Sequence, residues 1–588
     1  MLLIVAFVLV GVRFLSLVAA SPPALPRDGR PLAPGAADLS ADLRRLRTLR
    51  HRRGPSAWER AGRRAVPMFV AAAFALAAWR FLALHAGMTP RAVPELASLH
   101  GSDPVSGPDM RWWNWWDQWL YLRAALAWGR GLTDPALHWY LPGYPLLGAP
   151  FTRLTPLDPF LLPNLACFLA ALACCMGLGC RLLDAGRWSV PLGAAAFAIA
   201  AALPTVVTQD WITPWSTTPE TPCFLGALWL MLGIGQSGRP VRHGIAAGVL
   251  AGLVGGFRPA DGLVILAVVV PGSFWLAGPR RPWGARGWRA AASVAAGASM
   301  SLGIMAAAYL AVWGPHPSPY VASSGKIGFE FGLLRFRWVS MMINPAPLLP
   351  DGIGLAQAFP WIVAGAAGLA ASLIRPGRAG RAAHGLVGAA LAGDLVLFLC
   401  YRDLHPVGLW RFQLHHYFKT VLLLFALYAG RLVVMVVAGL HRSRRADIPA
   451  AIAGVGFAVA LFNWHFVFVP VHPLPRRGID GIVIPGGFRS LSAMVLVPGH
   501  GSTNSLVAPG RAVRADGRPM RFGKDVVAYD PGDALRVLPL RLMPPSDTVL
   551  LFGKGTAMAG DEQPMLGTLR LRWGLPPHWF QRAGAPPP

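Results

Sequence analysis

The chain has 588 residues, 54% of them hydrophobic and only 14% charged, with a formal net charge of +27. So little charge cannot cover a soluble protein of this size; the apolar excess must face hydrocarbon, which excludes a soluble enzyme. The arginines fall in short clusters between apolar runs, the way membrane topology is encoded, and this sets nucleic-acid binding aside.

In chain order, residues 1–20 read as an uncertain first helix or signal-like segment. "VAAS" resembles a cleavage site, but a basic leader is missing and Arg13 interrupts the apolar run, so a helix, a signal peptide and a wrong start all stay open. Residues 21–66 are Pro- and Arg-rich, with "RRLRTLRHRRG" at 44–54, and lack the apolar content for a core; we read a basic cytoplasmic arm. Apolar runs at 68–84, 157–183, 290–312, 386–400 and 421–440 approach or exceed the roughly 17–25 residues that cross a bilayer. Residues 67–470 are therefore expected to form an α-helical polytopic membrane domain of about 11–12 transmembrane helices.

If the arm is cytoplasmic, the later basic clusters "CRLLDAGR" (180–187), "GRPVRH" (238–243), "PRRPWGARGWR" (279–289), "RPGRAGR" (375–381) and "HRSRRAD" (441–447) also fall inside. The segments left external are 86–156, 207–221, the turn 258–261, 314–359, 402–416 and everything after 466. Within the last, residues 471–588 carry short apolar runs between Gly, Pro and Asp turns, which predict a small β-rich external domain. The six cysteines lie in or beside apolar segments without zinc-ligand spacing and read as packing residues.

The expected external face collects carboxylates: Asp103, Asp109, Asp117 and Asp134 in the first loop, Asp210 and Glu220 in the second, and Asp261 in the third turn. Charge at membrane depth is costly and tends to be paired or functional. Asp117 stands in "RWWNWWDQWLYL" (111–122) among five tryptophans. Helical spacing puts Asp117, Tyr121, Ala124 and Trp128 on one face, and the tryptophans predict a helix lying flat at the outer interface. Asp394 sits inside an apolar run, where it is expected to pair with a neighbouring helix.

An external Asp-bearing helix followed by "WYLPGYPLLGAP" (139–150) resembles the GT-C superfamily of membrane-integral glycosyltransferases. Its members often read as an Asp, then "YL..A..L..G", then "PPGYPLL"; the residues here are Asp117, Tyr121, Leu122, Ala125, Gly129, Leu141, Pro142, Gly143, Tyr144 and Pro145. "GGFRPADGLVIL" (255–266) is similar to a later turn of the same superfamily, and "HHYFKTVLLLF" (415–425) is a looser echo. The resemblance spans 68–440 in arrangement and leaves out the arm and the C-terminal segment.

The resemblance implies transfer of a sugar from a polyprenyl-phosphate carrier to a lipid, glycan or protein acceptor at the external face of the inner (plasma) membrane. Asp117 becomes the candidate base and Asp109 a second carboxylate aligning the acceptor or a metal. Arg258, Lys326, Arg335 and Arg337 become candidates for the donor phosphate, where guanidinium offers a bidentate fork. Tyr121, Tyr140, Tyr144 and Asp210 would line the substrate loops, and His415, His416 and Lys419 could also meet the phosphate. Plainer readings stand beside these: Asp117 as a helix cap or a partner of Arg111 or Arg123, Asp109 as a loop residue, Arg258 paired with Asp261, and the loop cations as interfacial anchors. Some families of this superfamily hold a divalent ion with Asp-x-Asp and others use none; no external Asp-x-Asp occurs here, so the cofactor expectation is none or a divalent metal. The competing reading is a transporter or flippase of a lipid-linked or anionic substrate. It fits the many helices and basic loops but lacks the paired interrupted helices of inverted repeats.

Overall fold

The computed structural model describes residues 57–92, 109–235, 239–278, 282–329, 331, 334–343, 353–401, 404, 408–411, 413–441 and 444–470, and six further strands between 481 and 573. Apart from isolated positions, side chains are described over 66–464. The expectations for residues 1–20, for most of the arm and for Asp103 lie outside the described residues.

Fifteen helices carry the description that follows: α1 (Ala57–Met88), α2 (Trp116–Gly129), α3 (Gly143–Gly148), α4 (Leu161–Leu182), α5 (Ser189–Phe197), α6 (Thr205–Ile212), α7 (Thr217–Ile234), α8 (Pro240–Phe257), α9 (Pro259–Ala277), α10 (Ala285–Trp313), α11 (Pro319–Ile327), α12 (Trp361–Ile374), α13 (Arg381–Cys400), α14 (Lys419–Leu440) and α15 (Asp447–Phe462). The chain is an α-helical, multi-pass membrane protein. Among the described residues, seven helices are long and apolar enough to cross a bilayer, and the pair 186–202 and 205–212, bent by 82°, makes an eighth if it is one span. The other apolar helices are shorter, α12 with 14 residues and α15 with 16, while α7 opens on the polar turn "TTPETP". Counting these three as spans brings the total to eleven, the lower end of the sequence expectation.

Small residues bring the helices together. Gly244, Gly248 and Gly252 recur every fourth position on α8 and face α10. A Cβ at Gly248 would fall on the carbonyl oxygen of Val294, and one at Gly252 or Gly244 on the hydroxyl of Ser301 or Ser293. Gly365 and Gly368 of α12 meet the α14 backbone at Phe425 and Tyr428 in the same way, and Gly454 of α15 meets Ala367. In lipid, hydrocarbon tails remove the hydrophobic incentive for helices to associate, so close backbone approach through such ladders carries the packing. The lipid-facing shell is equally plain: the apolar part of α1 is only 11% buried, and Met300, Ile304 and Leu310 of α10 point outward.

α4 separates two polar ends. Asn164 lies near its start and Asp184 just past its finish, about 30 Å apart at 1.5 Å per residue. At the Asp184 end the basic clusters converge. Arg444 Nη1 is 2.6 Å from Asp184 Oδ2, Arg378 Nε 3.3 Å from Oδ1 and Arg431 Nη1 3.8 Å from Oδ2, while Arg375 Nε stands 3.7 Å from Asp447. Arg181 and His243, from two further clusters, both abut Gly233. Beyond α15, strand Trp464–Pro470 pairs antiparallel with Met565–Trp573, Trp464 opposite Trp573. The separate β-rich domain stays an expectation.

Candidate active site

Much of the tryptophan stretch is packed against protein. Trp112, Trp113 and Trp119 are buried, and only Trp115 and Trp116 are exposed; in α2 every residue from Gln118 to Ala125 is buried. α2 packs against α3, so most of its tryptophans serve protein contacts, while Trp115 and Trp116 stay exposed. Trp113 donates its ring N–H to the Leu157 carbonyl at 3.0 Å. His85 stands beside Trp112 and 2.9 Å from Asp158, so the end of α1, the tryptophan turn and the approach to α4 are tied together.

This mounting holds Asp117 at the edge of a ladder of tyrosines. The half-buried Asp117 carboxylate accepts a short hydrogen bond from the Tyr140 hydroxyl. Tyr140 stacks on Tyr121 with ring centres 4.3 Å apart, Tyr121 meets Tyr144 edge-on at 5.0 Å, and Tyr320 of α11 covers Tyr140 at 5.1 Å. Tyr144 donates to Asn164 Oδ1 at 2.9 Å, and Asn164 donates to the Ile212 carbonyl at 3.0 Å, which anchors the ladder to α4 and α6. Burial first, and then the Asp117 charge, push the Tyr121 and Tyr140 phenols well above the usual tyrosine value, so both remain neutral donors at neutral pH.

The "PGYP" turn explains how Arg258 arrives beside these rings. Gly143 packs so closely on the end of α8 that a Cβ would stand 2.7 Å from the Gly256 carbonyl oxygen. Arg258, two residues on, caps the α8–α9 turn. Its guanidinium pairs with Asp261, reaches the Ser216 hydroxyl at 3.5 Å, and lies 4.6 Å over the Tyr417 ring. The Ser216 hydroxyl also stands beside the Tyr121 phenol, so Asp117, Tyr140, Tyr121, Ser216 and Arg258 form one contiguous set.

A second polar layer lies behind. Asp210 is buried with His415 Nε2 at 2.9 Å, a close charge contact without good hydrogen-bond alignment. Lys419 donates to the Asp210 carbonyl at 2.7 Å and to Thr218 at 2.8 Å. His416 stacks on Trp215 at 3.9 Å and bonds Thr217. Glu220, Asp261 and Asp394, on three different helices, are buried, and each keeps one carboxyl oxygen without a hydrogen-bond partner among the described residues. Sequence reasoning counts Glu220 only among the external carboxylates and reads Asp394 as a pairing residue of an apolar run; the structure places Glu220 in the first turn of α7. For Asp394 the signal is an ionisable group inside an apolar helix.

Other candidates stand elsewhere. Asp109 is exposed, its carbonyl accepting from the Arg91 and Ala92 amides, the position of a loop residue. Arg337 is buried and donates to the Leu399 and Tyr401 carbonyls, closing the end of α13 rather than facing the ladder. Arg335 is exposed, with its guanidinium 5.5 Å over Trp464. Lys326 lies on α11, and its side chain is outside the described residues. Among the described residues no group of three or more His, Cys, Asp or Glu is arranged to hold a metal ion.

No family model and no curated protein matches the chain. Solved structures are similar to it, among them these three. One is ArnT from Cupriavidus metallidurans bound to undecaprenyl phosphate, at TM-score 0.40 and 16% identity over 67% of this chain and 71% of that one. Another is the apo state of the same protein, at 0.36 and 16% over 65% and 68%. The third is the archaeal oligosaccharyltransferase AglB from Archaeoglobus fulgidus with an inhibitory peptide and a dolichol-phosphate, at 0.35 and 13% over 66% and 55%. The likeness is loose. It assigns no residue of this chain a role.

Proposed function

We propose that this chain is an integral-membrane glycosyltransferase that moves a sugar from a polyprenyl-phosphate donor to an acceptor at its external face, with Asp117 as the base. The observation that carries the reading is the contiguous set from Asp117 through Tyr140, Tyr121 and Ser216 to Arg258. It joins a half-buried carboxylate to a guanidinium at the ends of two apolar helices.

The chemistry follows from those two charges. The acceptor hydroxyl forms a bond to the anomeric carbon as its proton passes to the Asp117 carboxylate. The bond from the anomeric carbon to the phosphate oxygen breaks, and the lipid phosphate leaves with the electron pair. An oxocarbenium-like transition state develops positive charge at the sugar, which a nearby carboxylate stabilises. Negative charge grows on the leaving phosphate. Arg258 answers it with N–H groups beyond the one turned to Asp261, since guanidinium has five. Tyr140 holds Asp117 in one rotamer until an acceptor hydroxyl takes its place. The external orientation rests on the basic clusters gathered at the Asp184 end, which the positive-inside bias makes cytoplasmic.

Asp117→Asn in purified protein supplied with donor and acceptor is expected to lower turnover by about 100- to 10,000-fold with insertion and folding unchanged. Turnover within twofold of the unaltered protein would remove Asp117 as the base. A transporter or flippase is the second reading, favoured by the carboxyls of Glu220, Asp261 and Asp394 at buried helical positions, since intramembrane charge also marks transport paths. Lipid-linked substrate moving across proteoliposomes with no transfer product is the outcome that would select it.

A further inference from the structure

At the Asp184 end, four guanidiniums (Arg375, Arg378, Arg431 and Arg444) gather around two carboxylates, Asp184 and Asp447, an excess of two positive charges. The geometry is a built one. Asp184 adopts a left-handed backbone (φ 56°) and Gly377 does the same (φ 61°); a Cβ on Gly377 would stand 2.6 Å from Arg431 Nη2 and 2.8 Å from Asp184 Oδ2. The loop between α12 and α13 is thus pressed onto the ion cluster by a residue that must be glycine. Arg431 is spent inward: its side chain is 2% exposed and Nη1 donates to the Leu183 carbonyl at 2.8 Å. The others face out, with side-chain exposure of 77% for Arg378, 50% for Arg375 and 37% for Arg444.

One carboxylate cannot neutralise three guanidiniums, and like charges held this close call for a further anion. The surroundings say which kind. Ile374 directly precedes Arg375, Val437 and Leu440 approach Arg444 from α14, and Trp188 follows Asp184; all four are exposed apolar residues at a helix end. Guanidiniums at the rim of a lipid-facing apolar surface match a phosphate with acyl chains below it. We propose that the arginine crown around Asp184 is a binding site for the phosphate of an anionic membrane phospholipid, held by Arg375, Arg378 and Arg444 with the acyl chains along Ile374, Val437 and Leu440. The site is independent of the sugar-transfer reading and lies at the other end of the bundle from Asp117.

The test uses the full chain in detergent, titrated with phosphatidylglycerol or phosphatidylcholine and followed by thermal unfolding and by native mass spectrometry of bound lipid. Phosphatidylglycerol is expected to raise the Tm where phosphatidylcholine does not. The double variant Arg375→Gln/Arg378→Gln, at two exposed positions, is expected to weaken phosphatidylglycerol binding roughly thirty-fold, from about 1 kcal/mol per arginine near an anionic lipid. Arg153→Gln, an exposed position at the Asp117 end, should leave it unchanged. Equal protection by phosphatidylcholine, or undiminished phosphatidylglycerol binding in the double variant, overturns the proposal. Inorganic phosphate reproducing the whole shift overturns it in favour of a soluble anion.

Discussion

The two ends of the bundle solve opposite electrostatic problems. Around Arg258 the buried carboxylates (Asp210, Glu220, Asp261 and Asp394) outnumber the buried cations Arg258 and Lys419, and several of their oxygens lack partners among the described residues. Around Asp184 the cations are in excess: three guanidiniums lie within 4 Å of the carboxylate, whose Oδ2 accepts from Arg444. Leaving polar atoms unsatisfied in a buried place costs stability, so the first arrangement is one that a fold keeps for chemistry. The second serves architecture: Asp184 ties the end of α4 to the α12–α13 loop, to α14 and to the turn before α15. The contrast lies in the sign of the excess: buried carboxylates outnumber cations at one end, and guanidiniums outnumber carboxylates at the other.

That contrast can be broken in order of expected effect. Removing Asp117 should lower turnover by about 100- to 10,000-fold and leave stability alone, as described above. Asp184→Ala should do the reverse, costing about 3–5 kcal/mol by stranding Arg431 and its neighbours without their counter-charge. Thermal unfolding in detergent together with a turnover assay on the folded fraction separates the two, and a stable Asp184→Ala protein would sink the architectural reading. Gly248→Ala forces a methyl onto the Val294 carbonyl and should cost about 1–3 kcal/mol of stability. Tyr140→Phe removes one hydrogen bond to a charged group and should lower kcat/KM by roughly tenfold, from about 1.5 kcal/mol, with the Tm nearly constant. The smallest effect is pH-linked. Burial lowers the His138 value below the ordinary imidazole one, so its contribution to stability is complete above about pH 6.5 and declines as the pH falls below that. His138→Gln should flatten the fall in Tm between pH 7 and pH 5.5, and an unchanged slope would discount the imidazole.

Much of this was legible in the chain. The alternation of apolar runs with basic clusters predicts the polytopic fold because each signal is local and additive along the sequence. The "YLPGYP" motif points to Tyr140 and Tyr144 because Pro and Gly fix the turn that delivers them, and Asp117, Tyr121 and Arg258 do join them in one contiguous set. What was not legible depends on distant partners. Trp113 was read as an interfacial anchor, but its N–H finds the Leu157 carbonyl 44 residues away. Arg337 was read as a phosphate ligand, yet it finds the end of α13, 62 residues on. Lys419 could be given only a loose role, because its partners, Asp210 and Thr218, lie some 200 residues earlier.

The glycine ladder between α8 and α10 has a consequence for lipid depth. Because no side chain fits between these helices at Gly244, Gly248 or Gly252, α8 cannot slide along α10 without driving backbone into backbone. Arg258, one residue beyond α8, is thereby held at a fixed height in the bilayer, and Gly143 sets the tyrosine turn against that same stop. The seam works as a depth gauge: a lipid headgroup must rise to the guanidinium, since the guanidinium cannot descend to meet it.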